Sequence, residues 1–129
     1  MIGLLVVSHS ADAARGVVEI AREMGGADAA ITAVGGDPDG GIGTTVTAIR
    51  DGIEELLNRA DGVVVLVDLG SAVMNAEHAV EELGVGDEVV IADAPLLEGA
   101  INAVTRAAGG ATLQDVCQAA EDARQLSKT

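Results

Sequence analysis

The sequence predicts an α/β fold in three layers: a mainly parallel sheet of four to five strands, in the order 2-1-3-4, with helices on both faces. Three features carry that prediction. Short runs rich in Val, Ile and Leu recur without polar alternation, which is how strands buried on both faces read. Between the runs lie segments with apolar residues at helical spacing. Glycines punctuate the junctions.

The elements follow in order. Residues 2–7 form the first strand, 29–34 the second, 63–67 the third and 88–92 a weaker fourth. Residues 11–24 place Val17, Ile20, Ala21 and Met24 on one helical face. Residues 44–57 do the same with Val46, Ile49, Ile53 and Leu56, and residues 71–83 with Val73, Ala76, Val80 and Leu83. Residues 96–107 offer Leu97, Ala100, Ile101 and Val104; residues 112–125 offer Leu113, Val116, Ala120 and Ala123 behind Thr112 as N-cap. Gly25-Gly26, Gly84 and Gly109-Gly110 stand where left-handed caps end helices, and Pro95 suits a first turn. With 129 residues and neither repeat nor linker, residues 1–129 read as one domain that closes a core without metal or disulfide.

Composition excludes several functions. Phe, Tyr and Trp are absent, so readers of single-stranded nucleic acid that stack bases on aromatic rings are out. A net charge of −14 repels phosphate backbones, so DNA and RNA are poor partners. Lys128 is the only lysine, which leaves none for a Walker A loop or for Schiff-base chemistry. Cys117 is alone, and His9 and His78 are too few for a three-histidine metal site, so no metal is expected. The amino terminus has no basic leader and no apolar run approaches a membrane span. A soluble, cytoplasmic protein without membrane contact is expected.

In parallel sheets, ligands sit beyond the carboxyl ends of the strands where strand order reverses. Here that point falls between strands 1 and 3, at residues 8–11, 35–45 and 68–72. Strand 1 ends in Ser8-His9-Ser10, and an imidazole there is fixed yet open, suited to nucleophilic work near neutral pH. The bland alternative is a turn histidine. Strand 3 ends in Asp68, whose carboxylate can accept the imidazole N–H and fix its tautomer. Taken alone, Asp68 reads better as a cap for the helix near Ser71. The run from Gly35 to Thr45 holds five glycines, and Gly43-Thr44-Thr45 opens a helix whose N–H groups suit an anion. It is no dinucleotide loop, since Val46 stands where a third spaced glycine would. Together these residues describe a phosphohistidine site, because phosphoryl transfer asks chiefly for positioning and charge stabilisation. His78 reads as a solvated residue paired with Glu82, and Cys117 as a packed thiol.

The segments MIGLLVVSHS, VGGDPDGGIGTT, VLVDLGSAVMNAE and APLLEGAINA resemble the DhaM family, the phosphotransferase subunits of PEP-dependent dihydroxyacetone kinases. Their domain is similar to the enzyme IIA domain of mannose-family sugar transporters. The resemblance implies that His9 is phosphorylated at Nε2 by phospho-HPr, itself charged by enzyme I from phosphoenolpyruvate. It implies transfer to ADP on a separate subunit, DhaL, with the resulting ATP phosphorylating dihydroxyacetone on DhaK. ADP and ATP would thus belong to the partner, with no cofactor on this chain, and the chain would form a homodimer. Asp68 matches the aspartate supporting the histidine, while Gly43, Thr44 and Ser71 match regions lining the phosphate crevice. Some relatives carry HPr-like or enzyme I-like domains behind this one; with the sequence ending at Thr129, those functions are expected from separate proteins. Three rivals stand: a sugar-transport enzyme IIA, a phosphohistidine-based regulatory domain, and a receiver domain phosphorylated on Asp68. The last lacks an acidic pair after strand 1 and a lysine within the sheet.

Overall fold

The computed structural model describes residues 1–25 and 28–129. Four strands, β1 (Ile2–Ser8), β2 (Ile31–Gly35), β3 (Gly62–Val67) and β4 (Val89–Ile91), form one parallel sheet in the order β2-β1-β3-β4. The helices are α1 (Ala11–Gly25), α2 (Val46–Leu57), α3 (Gly70–Leu83), α4 (Leu96–Ala108) and α5 (Leu113–Asp122), the last running into a 3₁₀ turn over Ala123–Gln125. Among the described residues there is no fifth strand.

Alternation along the strands builds the layers. Leu4 and Val6 of β1, with Val64 and Leu66 of β3, meet α1, α4 and α5. Leu5 and Val7, with Val63, Val65 and Val67, meet α2 and α3 on the opposite face. Both central strands are buried along their whole length, as their unbroken apolar runs require. Each large side chain so buried contributes about 1.5–3 kcal/mol.

The helices pack through small residues. On α1 the buried stripe is Ala14, Val18 and Ala21 with Val17 alongside, whereas Ile20 and Met24, expected inside, are exposed. The cause is α4, which approaches closely: a Cβ on Gly25 would lie 2.5 Å from the Val104 side chain. Alanine therefore takes the contact line and the bulkier residues flank it. Likewise α3 buries Ala72, Ala76 and Ala79, and the expected Val73, Val80 and Leu83 pack at the margin. On α4 the buried set is Gly99, Ala100, Ala103, Val104 and Ala107, with Leu97 and Ile101 only half-buried.

Several junctions differ in detail from expectation. Gly84 caps α3 in the left-handed conformation at φ 66°. After α4 the left-handed residue is Gly110, at φ 81°, while Gly109 is still right-handed. Pro95 is the N-cap of α4 rather than part of its first turn, and its carbonyl accepts from Gly99 N–H at 2.7 Å. Thr112 caps α5, its hydroxyl accepting from Asp115 N–H at 3.2 Å. The expected cap at Gly25-Gly26 falls partly outside the described residues, and Gly25 itself still belongs to α1.

Candidate functional site

The carboxyl ends of β1 and β3 are neighbours, because β1 sits between β2 and β3. Pairing of Val7 with Val67 brings the next residues of both strands, Ser8 and Asp68, to one edge. The three polar residues ending β1 have separate tasks. Ser8 is buried, and its hydroxyl donates to Asp68 Oδ2 at 3.0 Å. Ser10 starts α1: its side chain accepts from Ala13 N–H and its carbonyl accepts from Ala14 N–H. His9 lies between them.

Asp68 holds His9 twice. Its Oδ2 accepts the His9 backbone N–H at 2.9 Å, and its Oδ1 lies 3.0 Å from His9 Nδ1. Facing a carboxylate oxygen, Nδ1 carries the ring proton, which leaves the lone pair on Nε2. The Ser71 hydroxyl, in the first turn of α3, is 2.8 Å from that Nε2 and donates to it. His9 and Asp68 side chains are each 21% exposed, so the ring is held yet can be reached from solvent. Burial alone would raise the Asp68 carboxyl, but hydrogen bonds from His9 N–H, the His9 ring and the Ser8 hydroxyl outweigh it and hold the group below the usual carboxylate range. The alternative role of Asp68 as a helix cap is not adopted: α3 has Leu69 as N-cap and no side-chain cap bond.

The glycine-rich segment closes the crevice from the α2 side. Asp37 folds it, Oδ1 accepting from Asp39 N–H and Gly41 N–H at 2.9 and 2.7 Å. Gly43 N–H donates to the His9 carbonyl at 2.8 Å. Thr44 is tied to α3 through Asn75. Helix α2 opens at Val46 behind Thr45, whose hydroxyl accepts from Ala48 N–H, slightly later than expected. Gly35, paired with Ser8, could be no other residue without a shift: a Cβ there would meet the Ser8 carbonyl oxygen at 2.5 Å and that of Ser10 at 2.9 Å.

The structure thus brings together His9, Asp68, Ser71 and Gly43, with Thr44 adjoining them. The sequence reading missed Ser8 and Asn75. A signal existed for Ser8, the one polar residue buried at the end of an apolar run. His78 is exposed on α3, as expected, but Glu82 does not pair with it: Glu82 lies 3.6 Å from Arg50 on α2, a permanent cation that attracts it more strongly than an imidazole. Cys117 is half-buried, and burial with nearby Glu121 pushes its thiol up, away from reactivity. Among the described residues no three His, Cys, Asp or Glu side chains converge as metal ligands would, and no helix is long and apolar enough to cross a membrane.

Fold and site together define a doubly wound α/β domain that presents a carboxylate-oriented histidine where strand order reverses. Residues 3–117 match the family described as the PTS system fructose IIA component, EIIA-man. A Listeria innocua protein, phosphoryl donor subunit DhaM of PEP-dependent dihydroxyacetone kinase 1, is 45% identical over 98 residues, which cover 76% of this chain and 75% of that relative. The Escherichia coli DhaM is 40% identical over 121 residues, 90% of this chain, but the match spans only 25% of that longer protein. A solved structure of a protein of unknown function, EF1359, superposes with a TM-score of 0.80 at 31% identity, over 94% of this chain and 93% of its own. The chain belongs to the EIIA-man family, and its relatives there include the DhaM phosphoryl donor subunits.

Proposed function

We propose that this chain is the phosphotransferase subunit of a PEP-dependent dihydroxyacetone kinase, carrying a phosphoryl group on His9 Nε2. The observation that carries the reading is the bond between His9 Nδ1 and Asp68, which leaves one nucleophilic nitrogen facing the crevice. The names of the relatives supply the substrate system.

The Nε2 lone pair attacks the phosphorus of the phosphohistidine on HPr. The donor P–N bond breaks and its electron pair returns to the donor imidazole. The Nδ1 proton stays in place, so the phosphorylated ring carries positive charge opposite the Asp68 carboxylate. The Ser71 hydroxyl swings from Nε2 to a phosphoryl oxygen, and the start of α3 adds the partial positive charge of a helix N-terminus. A terminal oxygen of ADP bound on DhaL then attacks phosphorus, the P–Nε2 bond breaks, and its electrons return to the ring. DhaK would use the resulting ATP. Gly43 and Thr44 border the site and complete the phosphate surroundings.

The same reading treats residues 1–129 as one enzyme IIA-type domain working in the cytoplasm as a homodimer. Like β2, β4 ends the open sheet with a neighbour on one side only, and its edge is where a second copy would pair.

The test is label transfer from phosphoenolpyruvate through enzyme I and HPr. Wild type should take up phosphate, hand it to DhaL·ADP rather than to a sugar-transport IIB protein, and show phosphohistidine by mass spectrometry under alkaline conditions. His9→Ala should abolish uptake, whereas His78→Ala should leave it intact. Labelling retained in His9→Ala would end the proposal.

A further inference from the structure

Asn75 lies on α3 one turn beyond Ser71 and shares its face. Its Nδ2 donates to Thr44 Oγ1 at 2.7 Å and approaches the Thr44 carbonyl at 3.4 Å. A threonine hydroxyl has one proton and accepts through its lone pairs. With its oxygen engaged by the Asn75 amide, the proton of Thr44 is left to donate. Among the described residues nothing accepts it. Thr44 directly follows Gly43, whose N–H grips the His9 carbonyl at 2.8 Å. Gly43 thus ties this segment to the His9 backbone, and Asn75 ties the Thr44 hydroxyl to the helix whose Ser71 hydroxyl lies 2.8 Å from Nε2.

We propose that Asn75 is a positioning residue that sets the Thr44 hydroxyl as a fixed donor for the phosphoryl group on His9. The proposal rests on the phosphocarrier reading and adds to it a residue that does not itself touch the reacting atoms. An amide is suited to the task. It donates to the hydroxyl oxygen without bringing negative charge near the phosphate, as a carboxylate would. It also joins the glycine-rich segment to the helix carrying Ser71. A donor held in place before the reaction needs no reorganisation when charge arrives.

Phosphoramidate, a small phosphoryl donor, can load the purified chain without partner proteins. Wild type, Asn75→Leu, Thr44→Val and the double variant are compared, with far-UV circular dichroism as the check on folding. The loading rate should fall about tenfold in each single variant, as loss of one hydrogen bond implies. The phosphorus NMR resonance of phosphorylated His9 should move in both. The double variant should be no slower than either single one, because Asn75 acts through Thr44. Should Asn75→Leu fail to fold, Asn75→Ser replaces it, its hydroxyl being too short to reach Thr44. Loading of the Asn75 variant at the wild-type rate, or a double variant whose loss multiplies the two single losses, overturns the role of Asn75. Wild type loaded elsewhere than His9 would instead overturn the phosphocarrier reading.

Discussion

Asp68 gathers three donors on two oxygens, and that arrangement has a measurable dependence on pH. A carboxyl depressed on folding adds stability that is complete above the ordinary carboxyl range and disappears as pH falls through the lower folded value. Asp68→Asn should therefore flatten the acid limb of thermal stability below about pH 4 and cost about 1 kcal/mol near neutrality. It should also slow loading of His9. Melts across the acid range that coincide for variant and wild type would show the carboxylate to be uncoupled from folding. His9 and Asp68 were legible in the sequence because each is a polar residue at the tip of an apolar strand. Ser8 stands at the same strand tip and carried the same signal, whereas Asn75 carried none: its partner Thr44 lies 31 residues away, and helix placement alone decides that they meet.

At the scale of the element, the strands were readable because burial on both faces forces unbroken β-branched runs, and the order of β1 and β3 follows from short right-handed connections. The inner face of α1 departs from the expectation set by side-chain size, with Ile20 and Met24 outside and Ala14 and Ala21 within. Where two helices approach closely, alanine and glycine take the contact, as Ala14, Ala21 and Gly25 do. The junction between β2 and the crevice shows the same crowding. Gly35→Ala would set a methyl against the carbonyls of Ser8 and Ser10, neither of which can swing aside. The expected cost is about 1–3 kcal/mol, read from the urea midpoint, with slower loading of His9 as its backbone is displaced. Gly16→Ala, inside α1 with nothing within 4 Å of the new Cβ, is the control and should instead stabilise by about 0.5–1 kcal/mol. Equal midpoints for the two variants would refute the close approach.

For the whole molecule, the net charge of −14 sets the terms of association. Two such chains repel, so the proposed homodimer must draw on apolar surface. A groove beside the open edge of β4 offers Val80, Val89 and Ile91, together with Glu77 and Glu81. Salt screens the like charges without weakening apolar contact. Sedimentation velocity should accordingly show a dimer whose dissociation constant falls between about 0.05 and 0.5 M salt. Monomer mass at both concentrations would refute the dimer. The bond that pins Nδ1 to Asp68 reaches beyond the ring itself. Under the proposed phosphocarrier role, with a single lone pair open to the outside, giver and receiver would need the same line of approach and could not be seated together. They would have to take turns, and the exchange of one visitor for the next would cap throughput however quick the chemistry.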